Sequence, residues 1–229
     1  MNRPDPSELL YKEQKEKFGN PDGTFRDITY EDTKEMPVMD SIIRETLRMH
    51  APIHSIYRAV ISPITVPPSL ASPSETNTYV IPKGHFIVAA PGVSAMDPRI
   101  WPESMTWNPL RWNDKEGVAQ TALNQYDGDT GEQVDYGFGQ ISKGTESPYM
   151  PFGAGRHRCV GESFAYLQLS IIISYIVRNF EMKLNNPSFP DPNYRVSFGF
   201  SCRVVADHQT MIVLPLKGMV TFKRRKATV

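Results

Sequence analysis

The side chains able to do chemistry are concentrated in residues 151–161, which read PFGAGRHRCVG. One cysteine, Cys159, follows two glycines and three basic side chains and stands just before an apolar segment of helical character. A thiolate needs positive partial charge around it. The free N–H groups of a helix start supply that, and Arg156, His157 and Arg158 add to it. Gly153, Gly155 and Gly161 let the backbone turn, or approach a flat ligand, where a Cβ would obstruct. Phe152 adds an aromatic wall against water. Together these residues suit a cysteine sulfur held out as the ligand of a large planar cofactor.

The elements that must position this loop lie on both sides of it. Pro4 early, acidic residues in a first turn and Gly19 at the end predict a helix over 4–18, its run Lys12-Glu13-Gln14-Lys15-Glu16-Lys17 forming an exposed charged face. A short helix follows over 29–36, where Thr29 and Asp32 have capping-box spacing. A third helix spans 37–49, amphipathic through Ile42, Ile43, Leu47 and Met49, with Glu45 and Arg48 at i, i+3 on one face. A strand begins near Ile56. Residues 79–81 and 85–90 read as the two arms of a hairpin about Pro82-Lys83-Gly84. Residues 91–112 hold all three tryptophans among prolines and read as an irregular meander. Residues 113–147 are polar, and Gly137, Gly139 and Gly144 argue against regular structure there. After the cysteine, a helix over 160–178 repeats Phe164, Leu167, Ile171 and Tyr175 at helical spacing as a broad buried face. Residues 180–184, 210–214 and 220–223 read as strands of a last small sheet. The fold class is mainly α with small β-sheets, α+β, in one domain.

Composition excludes several function classes. The 229 residues carry 25 Lys and Arg against 25 Asp and Glu, so no nucleic-acid surface is expected. The run Lys223-Arg224-Arg225-Lys226 reads as a solvated tail. Cys159 and Cys202 are too few for a disulfide framework, which favours a reducing compartment. The apolar run 167–177 falls short of the ~18–20 residues that span a bilayer, and the first ten residues lack the apolar stretch of a signal peptide. No membrane anchor is therefore expected in this chain.

The stretch from Phe152 to Gly161 resembles the haem-binding signature of the cytochrome P-450 superfamily: Phe, Gly, any residue, Gly, three more, Cys, any residue, Gly. The resemblance implies that the chain is the C-terminal part of that fold, with haem as cofactor and Cys159 as its metal ligand. It implies a Glu-x-x-Arg pair at Glu45 and Arg48, joined by Arg111 of the Pro-x-Arg-aromatic element 109–112 in a structural triad. The wording PIHSIYR, the segment 132–149 and GRHRC are similar to sterol 14-alpha-demethylases, fungal ones in particular. That group implies haem propionates on His157 and Arg58, and sterol or azole inhibitors against Ile53, His54, Ser55, Ile56, Thr210 and Met211. It also implies removal of a 14-alpha methyl group by three oxidations. It further implies electrons from NADPH through cytochrome P-450 reductase, at the cytosolic face of the endoplasmic reticulum membrane.

Two departures from the family stand out. The acid–Thr element of its oxygen-activating helix occurs nowhere in the sequence, so the chain alone is expected to be inactive. An inert truncated paralogue, or a haem-binding fragment that depends on a partner, is the alternative. A cysteine hydrolase or a metal–thiolate protein needs a base or further soft ligands that the neighbourhood of Cys159 does not offer. Second, removing residues 196–209 restores the family's spacing between Tyr194-Arg195 and Thr210-Met211. The codons available for Val196-Ser197, Ala206-Asp207 and Gln209 can spell intron signals. The segment is either a retained intron or a real strand-rich insertion.

Overall fold

A computed structural model describes residues 5–68, 77–128, 147–184, 205–206, 213–214 and 220–225. Helix α1, Pro6–Phe18, starts on Asp5, whose side chain accepts from Ser7 N at 2.9 Å, with Pro6 in the first turn. It begins two residues later than the sequence pattern indicates. Of the charged run, Lys12, Lys15, Glu16 and Lys17 are exposed, with Lys12 and Glu16 paired at 3.8 Å, whereas Glu13 and Gln14 are buried. Helix α2, Tyr30–Thr33, is a single turn closed by the Thr29–Asp32 capping box. The forked Arg26, at 2.7 and 2.8 Å, holds the Asp32 carboxyl well below the usual carboxylate range.

Helix α3, Pro37–Met49, has the bounds that its pattern predicts. Its N-cap position is Met36, which offers no side-chain cap. Glu13 of α1 does that work from a distance: Oε1 accepts from Val38 N at 2.7 Å and Oε2 from Met39 N at 3.1 Å. A buried carboxylate thus stands on the positive end of the helix that carries Glu45 and Arg48.

β1, Ile56–Ala59, and β2, Ile64–Val66, run antiparallel to β4, Phe86–Ala89, and β3, Tyr79–Ile81, respectively. The hairpin expected between 79–81 and 85–90 therefore does not form. The register is continuous from Ile56 opposite Ala89 to Val66 opposite Tyr79, so this is one long ribbon with a break in the middle. The break has a cause: the pair next to Ile64 and Ile81 is Pro63 opposite Pro82. Neither has an N–H to give.

The meander contains a one-turn helix α4, Pro91–Ser94, and a 3-10 turn, Pro109–Asn113. Beyond it lies helix α5, Val118–Asp127, where no regular structure is expected from the sequence. It buries Ala119, Ala122 and Tyr126 and stops at Gly128, whose φ of 80° ends helices readily. Gly137, Gly139 and Gly144 lie outside the described residues.

Helix α6, Glu162–Asn179, follows the cysteine loop. Its buried face is not the expected one: Phe164 is 62% exposed, Tyr175 65% and Ile171 44%. The residues turned inward are Ser170, Ser174 and Val177. Small side chains let α6 lie close against α1 and α3, where Val177 joins Leu10, Phe18, Met36, Met39 and Ile43 in one core. A second core gathers Trp101, Trp112, Ala119, Ala122, Tyr126 and Tyr149 beside it.

Strand β5, Phe180–Leu184, pairs with β8, Val220–Arg224, and β6, Val205–Ala206, with β7, Val213–Leu214, giving two ladders in place of one sheet. The basic run is not a free tail at Arg225. Its side chain lies 3.8 Å over the Tyr11 ring, donates to Val177 O at 3.0 Å and pairs with Glu8 at 2.8 Å. Apart from Val205–Ala206, the segment 196–209 lies outside the described residues, as does Cys202. Helices with small antiparallel ladders make the described chain α+β.

Candidate functional site

Cys159 is a free, exposed thiol three residues before α6. Its loop is drawn tight by backbone bonds: Cys159 N donates to Phe152 O at 2.9 Å, Gly153 N to Met150 O at 3.2 Å and Arg158 N to Gly155 O at 3.2 Å. Gly153 and Gly155 have φ of 74° and 62°, a region that side chains disfavour, so the turn needs glycine at both. Glu162 N donates back to Cys159 O at 3.4 Å, joining the loop to the first turn of α6. Phe152 leans on Tyr166 of α6, ring centroids 5.6 Å apart. A Cβ on Gly161 would sit 3.6 Å from the sulfur, in ordinary contact.

Arg158 departs from the electrostatic expectation. Its guanidinium forks onto Glu162 at 2.8 and 3.2 Å, donates to Tyr126 O at 2.9 Å and reaches Asp127 at 3.3 Å. It also stacks 3.8 Å over the Tyr126 ring. Its charge therefore faces two carboxylates and does not stand free for the sulfur. Burial, then Glu162, pushes the Tyr126 phenol above its ordinary value. The Arg158–Glu162 spacing of i, i+4 is readable in the sequence; the helix end it grips was not.

Two surfaces meet near the sulfur. One is a cavity of about 630 Å³ that reaches Cys159, with Lys34, Arg44 and Arg158 set against Asp40, Asp127 and Glu162. The other is the apolar stripe of α6, Phe164, Ile171 and Tyr175, with fully exposed Val160 at its head. Among the described residues no three His, Cys, Asp or Glu side chains converge for a metal ion. One soft sulfur next to an apolar surface does not fit a bare ion that needs several protein ligands. It fits a metal that brings its remaining ligands with it, as an iron porphyrin does.

The structure brings Glu45, Arg48 and Arg111 together. Glu45 and Arg48 side chains are wholly buried and form a fork at 2.9 and 3.0 Å. Arg111 Nε donates to Glu45 Oε1 at 3.0 Å, joined there by Asn108 N at 2.9 Å, and Trp112 Nε1 donates to Oε2 at 3.1 Å. The remaining guanidinium N–H groups bind carbonyls: Arg48 that of Ala95 at 2.7 Å, Arg111 those of Pro102 at 2.9 Å and Thr106 at 3.2 Å. One carboxylate and two forks thus tie α3 to the whole meander.

The other candidates lie apart from this cluster. Arg58 is exposed on β1 and donates to its neighbour's carbonyl, Tyr57 O, at 2.9 Å; it does not line the cavity at Cys159. His157 is exposed. His54 contacts Ser55 Oγ at 2.9 Å, and its ring fills the space over Gly92, where a Cβ would meet it at 2.5 Å. Ile53 is 43% exposed and Ile56 half-buried at the start of β1. Thr210 and Met211 lie outside the described residues. No helix among the described residues is long and apolar enough to cross a membrane.

The sequence profile described as Cytochrome P450 matches residues 1–204. The chain is 46% identical over 223 residues to a lanosterol 14-alpha demethylase of Mycosarcoma maydis, covering 95% of this chain and 36% of that protein. It is 40% identical over 216 residues to that of Candida tropicalis, covering 94% and 36%, and 40% over 211 residues to that of Cunninghamella elegans, covering 92% and 38%. The chain thus spans little more than a third of the length of these curated relatives. With the profile running from the first residue through the cysteine loop and α6, the chain belongs to the cytochrome P450 family.

Proposed function

We propose that this chain is the C-terminal part of a haem-thiolate monooxygenase of the sterol 14-alpha-demethylase type. The observation that carries the reading is Cys159, exposed on a glycine-shaped loop at the head of α6 beside an uncovered apolar stripe. The subtype rests on 40–46% identity to proteins named lanosterol 14-alpha demethylase. When bound, a haem with a cysteine ligand activates dioxygen, the electron-rich sulfur favouring O–O cleavage, so that unactivated C–H bonds are hydroxylated.

The chain's own residues divide the work. Cys159 presents its sulfur, and the Cys159–Phe152 backbone bond fixes the direction of the loop. Phe152, Gly153, Gly155 and Gly161 shape the surface around it. His157 and Arg58 hold the propionates, a task suited to exposed nitrogen donors. Ile53, His54, Ser55, Ile56, Thr210 and Met211 meet the sterol, or an azole inhibitor. A reductase carrying electrons from NADPH docks on the sulfur side, with the whole protein at the cytosolic face of the endoplasmic reticulum membrane.

A second reading has its own observation. Phe164, Ile171 and Tyr175 form an exposed apolar stripe on a helix otherwise packed into the core, and such a surface calls for a cover. We infer that the 229-residue chain purified alone neither retains haem nor turns over sterol, and that it becomes competent only when the rest of the fold is supplied. Co-expression with the preceding two-thirds of the Mycosarcoma maydis relative tests both readings. Demethylation of lanosterol by the complemented assembly, with none by either piece, is the expected result. No turnover in an assembly that does bind haem contradicts the sterol subtype.

A further inference from the structure

We propose that Arg158 is a positioning residue for the sulfur of Cys159: it clamps the turn between two helix ends and does not act as a cation for the thiolate. The proposal rests on the reading above only in naming Cys159 the ligand.

The geometry is that of a junction. Arg158 Nη1 donates to Tyr126 O at 2.9 Å, in the last turn of α5, where carbonyls lack helical partners and a cation is favoured. The same guanidinium forks onto Glu162, the first residue of α6, where a carboxylate is favoured for the opposite reason. Tyr126 closes the junction. Its ring lies 3.8 Å under the guanidinium, its hydroxyl donates to Glu162 Oε2 at 3.2 Å, and it is itself 1% exposed. The C-terminal end of α5 and the N-terminal end of α6 are thereby joined through one side chain, and Cys159 is the next residue along.

Cys159 then has little freedom. Its N–H is held by Phe152 O and its carbonyl by Glu162 N, while Arg158 before it is held by side chain and by backbone, through Gly155 O. The charge is spent within the junction, since Glu162 and Asp127 both face Arg158. A lysine here keeps the charge. It cannot fork onto Glu162, donate to Tyr126 O and stack on the ring at once.

The conservative variant therefore decides. The full chain is prepared without cofactor as wild type, Arg158→Lys, Arg158→Gln and Glu162→Gln. Amide hydrogen exchange is read over residues 153–160, with α1 and α3 as the control for global folding. Alkylation of Cys159 is followed on its own peptide by mass spectrometry. Clamping predicts about tenfold faster exchange of 153–160 in all three variants, α1 and α3 unchanged, with Cys159 alkylation in Arg158→Lys altered as much as in Arg158→Gln. If Arg158→Lys keeps the wild-type exchange and alkylation rate while Arg158→Gln loses both, charge is what matters and the proposal is overturned. Unchanged loop exchange in all variants overturns it too. Because no haem is involved, these outcomes are separate from failure of the monooxygenase reading.

Discussion

Arg111 and Glu45 stand 66 positions apart in the chain, and Arg111 Nε donates to Glu45 Oε1 at 3.0 Å in a place almost closed to water. That bond joins the meander to α3. Together with Arg48 it leaves one carboxylate between two guanidinium groups, whose excess charge is spread over the carbonyls of Ala95, Pro102 and Thr106. None of the three lines the cavity that reaches Cys159, and we propose that the cluster serves assembly.

Removing the carboxylate leaves two buried or half-buried cations, together with Asn108 N and Trp112 Nε1, without their acceptor. Glu45→Ala is expected to cost about 3–5 kcal/mol, a large share of the stability of a domain this size. Arg111→Lys keeps a charge but loses the fork to Pro102 and Thr106 carbonyls, and is expected to cost about 1–2 kcal/mol. Urea denaturation followed by tryptophan fluorescence measures both. A Glu45→Ala chain as stable as wild type contradicts the assembly role.

Glu13 gives a pH dependence of known sign. Burial, the largest influence, raises its carboxyl above the ordinary glutamate value, against the pull of the Val38 and Met39 N–H groups. A carboxyl raised in the folded state binds its proton more tightly there. Its contribution is full below the unfolded value of about 4.3 and is lost as pH rises through the folded value. Glu13→Gln does not titrate, so the stability of wild type relative to the variant is expected to increase from about pH 7 to about pH 4. Paired denaturation curves at the two pH values check this, and a shift toward the variant on acidification contradicts it.

Arg225 and Lys223 are neighbours of unlike weight. Arg225 is 10% exposed in its side chain, stacked on Tyr11 and bonded to Val177 O, whereas Lys223 pairs with Glu181 at 74% exposure. Arg225→Ala is expected to lower stability by about 1–2 kcal/mol, and Lys223→Ala by less than about 0.5 kcal/mol. Equal effects in thermal melts count against the anchoring of β8 on α1.

Gly153 has φ of 74°, and a Cβ there also meets His157 O at 3.4 Å. Gly153→Ala is expected to cost about 1–2 kcal/mol of backbone strain and to raise exchange in the cysteine loop. Gly84→Ala, at φ 92° with open space around the Cβ, serves as the control for strain alone. Should both variants cost the same and leave loop exchange untouched, Gly153 shapes nothing beyond its own residue.

Much of this architecture is legible in the residues, for reasons that differ from place to place. Helix α3 keeps its predicted bounds because Pro37 marks the start and its apolar periodicity is strong. The cysteine loop is legible at Gly153 and Gly155, which answer to local backbone conformation, but not at Gly161, whose φ of -87° suits any residue. What fails is decided by partners far along the chain. Glu13 and Gln14 look like part of a solvated run, and their burial is explained by the bare start of α3, by Arg178, which donates to Gln14 at 2.9 Å, and by Met36, whose sulfur accepts from Gln14 at 3.2 Å. On α6, apolar periodicity points to Phe164, Ile171 and Tyr175, but close approach to α1 and α3 selects Ser170 and Ser174 instead. The ribbon is mispaired in a local reading, because the turn at Pro82-Lys83-Gly84 looks like a hairpin tip when it is the break opposite Pro63. Helix α5 is masked by the glycines that follow it, although Ala119, Ala122 and Tyr126 carry a helical spacing of their own.

We propose, as the central claim, that Cys159 would supply the thiolate that holds a haem. It is tested most directly by the reduced carbon-monoxide difference spectrum of the chain complemented with the remaining length of a relative, as wild type and as Cys159→Ser. The account predicts the thiolate band for which the family is named in the wild type and its loss in Cys159→Ser. A band that survives the substitution, or haem bound by the wild type without that band, contradicts it.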